Sequence, residues 1–349
     1  MDTSKLETTL AKFSALTLLV LGDYFLDLYL EIDSALAEIS LETGWEAHQV
    51  TRTRALPGAA GTVVANLRAL GVNVIALGVL GDDGNGFELQ RALREMDVEV
   101  AALIVARTRV TPTYAKPLRD GVELNRLDIK NRAPLEPEIE EQLIARAREL
   151  SSRVNGIVIV DQVHEATGGV ITARVRDEIA RLGEARIVTA ESRARGGEFR
   201  NVIVQANLRE AQHATGLASI EECGAELHRR TNRIAYITNG ADGIFVFDDL
   251  GCAHIPAIPV AEPIDPVGAG DSVLAGFSAA LCAGASARAA ADMGNLVASV
   301  TIQQIGTTGT ATPAQVLAAA RRAPSPPLST AFQKSGDPHP NLLPQREKG

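Results

Sequence analysis

The sequence has 349 residues, 46% of them hydrophobic and 22% charged, enough apolar material to bury a substantial core in one α/β domain or two smaller ones. Its formal charge of -9 argues against a nucleic-acid partner, because affinity for a phosphate backbone comes from clustered Lys and Arg. The three cysteines, Cys223, Cys252 and Cys282, are far apart and form no metal-type pattern with the six histidines, which suits a reducing compartment. The amino-terminal MDTSKLETTL shows no basic segment leading into an apolar run, and no stretch approaches the ~18 apolar residues of a membrane span. A cytoplasmic protein with no membrane partner is expected.

Along the chain, residues 1–14 read as an N-terminal helix or extension. Short apolar runs follow at 15–21, 73–79, 156–160, 186–190, 202–205 and 234–238, the pattern of strands buried on both faces of a parallel sheet. Amphipathic segments separate them; in 136–150, Ile139, Leu143, Ala147 and Leu150 share one helical stripe. This alternation predicts a doubly wound, mostly parallel α/β sheet flanked by helices. Residues 28–56 and 99–130 break the rhythm, the second with a hairpin predicted at Asp120-Gly121. They form either a small β-sheet lid or an antiparallel edge of the main sheet. From residue 321 to 349 the chain turns proline-rich and aperiodic, as in a disordered tail, leaving 15–320 as the folded domain.

Several chemistries are excluded. No lysine follows a glycine, so there is no G-x-x-x-x-G-K-[ST] phosphate loop, and D-F-G, H-R-D, H-E-x-x-H and G-x-S-x-G are absent. The first strand ends in LGDYFLD and not in a G-x-G-x-x-G dinucleotide turn. What remains is IDPVGAGDSVLAGF, 264–277. Gly268, Ala269 and Gly270 leave their amides unobstructed before a helix starting near Asp271, a natural place for an anionic oxygen. Asp271 is then either the helix N-cap or a general base that deprotonates a hydroxyl attacking a phosphoryl group held by those amides.

DPVGAGDS resembles the carboxy-terminal signature of ribokinase-like (PfkB) sugar kinases, and further segments match that family in order over about residues 15–320. The resemblance implies a ribokinase-like fold with a β-sheet lid and catalysis by Asp271 with the 268–270 amides as anion hole. It places sugar contacts at Asp23 and Asp27 of LGDYFLD and at Gly58, Ala59, Thr62 and Asn66 of PGAAGTVVANLRALG. Ala59 and Thr62 depart from the glycine and asparagine usual there. GDDGNG, with Gly81, Asp82, Gly84 and Gly86, matches a structural turn of the family. Asn207 and Glu210 match the N-x-x-E that organises Mg²⁺ through water, although the same residues also spell a helix capping box. Asp265, Thr238 and the TNGADG turn with Gly240 and Gly243, and Asn295, match the ATP side.

Within the family the likeness is greatest to the bacterial heptose 7-phosphate kinases, through EISLET at 38–43, with Ser40 and Glu42, and through the segment 111–132. On an extended strand Arg126 and Asp128 share a face, so Arg126 with Lys116 could grip an anionic group, or Arg126 and Asp128 could simply pair. Asp161 is placed to hold a hydroxyl. No nucleotidyltransferase-like segment follows residue 320, so a second activity is not expected. The expected partners are ATP, Mg²⁺ and a sugar or sugar phosphate, with a homodimer through the lid strands. A nucleoside kinase and a non-catalytic sugar- or nucleotide-binding protein are the alternatives.

Overall fold

The computed structural model describes residues 3–165 and 167–322. Among these the chain runs α1 (Thr3–Ala11), β1 (Thr17–Gly22), β2 (Tyr24–Ile39), β3 (Glu46–Ala59), α2 (Ala60–Ala69), β4 (Asn73–Leu77), β5 (Val79–Gly81), α3 (Gly84–Glu95), β6 (Ile104–Ala106), β7 (Thr113–Arg119), β8 (Val122–Glu123) and β9 (Leu127–Ile129). It continues through α4 (Pro137–Ser151), β10 (Gly156–Asp161), α5 (Ala173–Ala185), β11 (Ile187–Ser192), β12 (Ile203–Asn207), α6 (Leu208–Thr215), α7 (Ile220–Thr231), β13 (Ala235–Thr238), β14 (Ile244–Asp248), β15 (Gly251–Ile255), α8 (Ala269–Cys282), α9 (Ala287–Thr301) and α10 (Pro313–Arg322).

The main sheet has the order β15-β14-β13-β12-β11-β10-β1-β4. From β4 to β13 every pairing is parallel, and β14 and β15 close one edge antiparallel. All six apolar runs read from the sequence lie in its parallel part. Their continuous hydrophobicity has a simple cause: alternate residues of one strand serve opposite cores. Leu18 and Val20 of β1 join the core that includes Val63 of α2 and Phe277 of α8, whereas Leu19 and Leu21 join the core that includes Leu143 of α4 and Leu227 of α7. The β14–β15 edge has no counterpart in the sequence reading.

Residues 28–56 and 99–130 do build a separate sheet, in the order β3-β2-β7-β8 with β9 on β7. The lid strands begin earlier and end later than the sequence suggests, at Tyr24 and Ala59, because their inner halves are buried against the body. One piece of the second segment goes elsewhere: β6 pairs in parallel with β5, away from the lid. The β7–β8 turn is at Asp120-Gly121, both at positive φ (52° and 78°), as a two-residue hairpin with a primed turn requires.

The amino-terminal stretch is no appendage. Leu6, Leu10 and Phe13 are buried in the first core, and Arg321 of α10 reaches Glu7 at 3.0 Å. Arg321 and Arg322 complete α10, so the helix extends just past the expected boundary at 320; the rest of the proline-rich segment lies outside the described residues.

Candidate active site

Every parallel strand of the main sheet points its carboxyl end toward one rim, where ligand crevices of doubly wound sheets form. Asp23 follows β1, Asp161 ends β10, Glu191 and Ser192 end β11, Asn207 ends β12 and Thr238 ends β13. The amino terminus of α8 meets this rim from above. Gly268 caps α8 at φ 79°, a left-handed conformation that glycine adopts without strain. The amide of Ala269 donates to Pro266 O at 3.1 Å, so it is not available to an anion as the sequence suggested. Among the described residues the amides of Gly268 and Gly270 make no hydrogen bond, nor does that of Asp271. An unpaired first-turn N–H is the standard seat of an anion.

Asp271 is therefore not a side-chain N-cap; Gly268 fills that position, and no side chain caps the helix. The Asp271 Oδ1 is buried without a hydrogen-bond partner. Burial raises its pKa to about 7; Arg193 pulls the other way, and Asp27 and Glu210 add to the rise. A carboxyl that titrates near neutrality is poised to take a proton from a hydroxyl.

Below the first turn of α8 lie two residues that the sequence reading missed. Gln205 on β12, 2% exposed, donates its Nε2 to Gly270 O at 3.1 Å, while its Oε1 has no partner. Glu191 is buried, with Oε2 unpartnered and its pKa raised well above the ordinary range by burial and then by Asp271 and Glu210. A Cβ on Gly270 would come within 3.6 to 3.9 Å of both side chains. No local motif marks either residue, since a polar residue at the end of a buried strand is the only trace they leave in the sequence.

Asn207 and Glu210 realise the capping box in full: Glu210 N donates to Asn207 Oδ1 at 3.0 Å and Asn207 N donates to Glu210 Oε2 at 2.9 Å. Burial raises the pKa of Glu210, whose Oε1 is not spent on the cap. Among the described residues no group of three or more His, Cys, Asp or Glu is arranged to hold a metal ion. Mg²⁺ keeps several waters and takes one or two carboxylates plus substrate phosphates. The unpartnered Oε2 of Glu191 and the Oε1 of Glu210 are hard donors of the kind such an ion takes.

Several of the expected sugar contacts lie on the lid and α2. Asp27 on β2, buried, lies 3.3 Å from Lys116 on β7; burial raises its pKa and Lys116 opposes the rise. Lys116 also reaches Tyr29 OH at 3.4 Å, so it is engaged with its own sheet. Gly58 permits the approach of Asp27, for a Cβ there would be 2.9 Å from Asp27 Oδ2. Ala59 holds φ 53° and ψ -117°, a conformation that favours the glycine usual at this position. Thr62 is buried, its methyl group 3.5 Å from where a Cβ on Gly268 would be, so it packs against the catalytic turn.

Several expected contacts are structural. Asp161, fully buried, is bound by Arg195 at 3.0 and 2.5 Å and by Ser192 Oγ at 2.6 Å, so its carboxylate is engaged within the chain. Asp23 accepts from the amides of Gln162, Val163 and Val170 at 2.9, 3.2 and 2.8 Å and pins the loop after β10; burial, then Asp161, raises its pKa to about 6. Asn66 has no exposed surface and donates to Thr62 O at 3.0 Å. Asn295 donates to Ile255 O and Pro256 O, tying α9 to the end of β15. Asp265 accepts from Val267 N and Gly306 N, both at 3.1 Å, joining the catalytic turn to the loop after α9. Gly240 and Gly243 shape the turn after β13 at φ 52° and 95°, with Thr238 at its root. Arg126 forks onto Asp128 at 2.6 and 2.9 Å and stacks 3.9 Å over Tyr114, which is the pairing alternative rather than an open anion clamp.

Residues 201–315, which carry Asn207, Glu210 and Asp271, match the model of the pfkB family carbohydrate kinases. The chain carries a pfkB-family carbohydrate kinase domain. This kinase domain is 30% identical over 330 residues to the bifunctional protein HldE of Geobacter metallireducens, an alignment covering 91% of the chain and 65% of that relative. A second HldE, from Trichlorobacter lovleyi, is also 30% identical, with 91% and 66% covered. The chain thus spans about two thirds of the length of these relatives. Its fold is that of ribokinase-family structures. It superposes on Arabidopsis thaliana ribokinase complexed with ribose and ATP with a TM-score of 0.66 at 18% identity, covering 88% of this chain and 99% of that one. For a putative sugar kinase from Clostridium perfringens the TM-score is 0.70 at 16% identity, with 88% and 96% covered. Among the described residues no helix of the domain is long and apolar enough to cross a membrane.

Proposed function

We propose that this chain transfers the γ-phosphoryl group of ATP to a hydroxyl of a sugar or sugar phosphate, a heptose phosphate being the favoured acceptor. The observation that carries this reading is Asp271, a carboxyl with a buried, unpartnered oxygen in the same helix turn as the unbonded amides of Gly268 and Gly270. The acceptor hydroxyl donates to Asp271 Oδ1, which has no competing partner within the chain and takes the proton as the oxygen attacks phosphorus. The free amides receive the phosphoryl oxygens, and their fixed geometry adds no reorganisation cost as charge moves. Gln205 holds the Gly270 peptide that aims them. Glu210, Asn207 and Glu191 would hold Mg²⁺ through water, and the ion would supply neutralisation of phosphate charge.

Asp27, Gly58 and Lys116 form the acceptor side. The heptose preference rests on the EISLET segment and the lid hairpin, and the ribose and ATP bound to the Arabidopsis neighbour support the pairing of sugar with nucleotide. An ATP-consumption screen over heptose phosphates, other sugar phosphates, free sugars and nucleosides tests the reading. Sugar-dependent turnover supports it, and ATP consumption that responds to none of them removes it. The exposed Ile39, Leu41 and Trp45 at the far end of the lid support a homodimer through lid strands. Light scattering that shows a monomer in both wild type and Trp45→Asp would remove that part.

A further inference from the structure

The loop that leaves β11 carries two arginines with opposite fates. Arg195 is spent: it binds the buried Asp161 and the carbonyl of Val163. Arg193, two residues earlier, anchors only its backbone, N to Asp161 O at 3.2 Å. Its exposed guanidinium makes no hydrogen bond or ion pair among the described residues, although its charge is felt by Asp271, Glu191 and Glu210. Arg193 directly follows β11, whose Glu191 lies with its carboxylate oxygens 3.7 and 3.9 Å from where a Cβ on Gly270 would be, so the end of the strand and not a partner sets the arginine at this rim.

The charge balance of the rim gives that position a meaning. Asp27, Glu191, Glu210 and Asp271 put four carboxyl groups around the place where a polyanionic nucleotide must bring its terminal phosphate. The free amides of Gly268, Gly270 and Asp271 supply only partial positive charge. The arginine fork is the group best matched to phosphate oxygens. We propose that Arg193 is a further catalytic residue that grips the terminal phosphoryl group of the nucleotide during transfer. This deepens the kinase reading and rests on it. Its unpaired ground state keeps the guanidinium from being neutralised by Asp271, so both groups stay available to their separate partners.

Calorimetric titration of the full chain with Mg²⁺ and either AMP-PNP or ADP tests the assignment, because the two nucleotides differ in the terminal phosphate. Arg193→Gln is expected to weaken AMP-PNP binding on the order of 10-fold while changing ADP binding less than about 2-fold, the loss of one charge-assisted fork. Arg193→Lys, which keeps the charge without the fork, should fall between wild type and Gln. The side chain is exposed, so circular dichroism and melting temperature should not change. Equal losses for both nucleotides, or no loss for either, would overturn the proposal. A wild-type chain that binds neither nucleotide fails differently, since it removes the kinase reading itself.

Discussion

Asp271→Asn separates stability from activity in one substitution. In the folded chain burial lifts Asp271 from the ordinary aspartate value of 3.8 to about 7. The folded state thus holds a proton that the unfolded state releases, and stability from this group is greatest below pH 4 and is lost as pH rises through about 7. At about 1.36 kcal/mol per pH unit, the gap bounds the cost of the carboxylate above pH 7 at about 4 kcal/mol. Asparagine keeps the shape without the charge and also relieves Glu191, which Asp271 pushes upward. Urea unfolding should therefore find Asp271→Asn more stable than wild type by roughly 2–4 kcal/mol at pH 8.5, with the difference shrinking toward zero near pH 4. Sugar-dependent turnover should fall by a factor on the order of 10² to 10⁴, and the wild-type rate should rise with pH through about 7 as the base loses its proton. A variant that is less stable at pH 8.5, or a stability difference flat with pH, refutes the electrostatic account; full turnover by the folded variant refutes the general base.

Three further substitutions probe the surroundings. Ala59→Gly removes the side chain from a backbone conformation at φ 53° and is expected to stabilise the fold by about 1 kcal/mol net of chain entropy, read as a shift in urea midpoint; a lower midpoint would show that Ala59 is not strained. Arg195→Ala strips the fully buried Asp161 of its cation and should cost about 3–5 kcal/mol, far more than truncating an exposed arginine such as Arg107; an effect within about 0.5 kcal/mol would contradict the burial of that pair. Gly58→Ala drives a Cβ to 2.9 Å from Asp27 Oδ2, so the acceptor KM should rise on the order of 10-fold with ATP binding unchanged, and an unaltered KM would take Asp27 out of the acceptor site.

The sequence and the structure divide the molecule in a consistent way. Periodicity and turn chemistry are local properties, and they placed the parallel strands, the helix with Ile139 and Leu143, the turn at Asp120-Gly121 and a helix near Asp271 that begins in the structure at Ala269. Local chemistry also named the capping box of Asn207 and Glu210. Side-chain partnership is not local. Asp161 and Asp271 are both aspartates beside core elements that the sequence placed at the site, and neither segment shows which of them finds a partner in the fold. Arg195 neutralises one and the other keeps a buried oxygen unbonded. The same holds for Arg126, whose fork closes on Asp128, and for Arg193, whose fork stays open.

Glu191 and Gln205 were beyond reach of any motif because they come from different strands and meet only where β11 and β12 run side by side beneath Gly270. The sequence by itself determined the parallel strands of the sheet, the amphipathic helix of residues 137–151 and the glycine-rich turn before α8, since backbone propensity and apolar spacing are written residue by residue. Only the tertiary structure decided which carboxylates are paired and which are poised, because burial and charge depend on what the fold brings within a few ångströms.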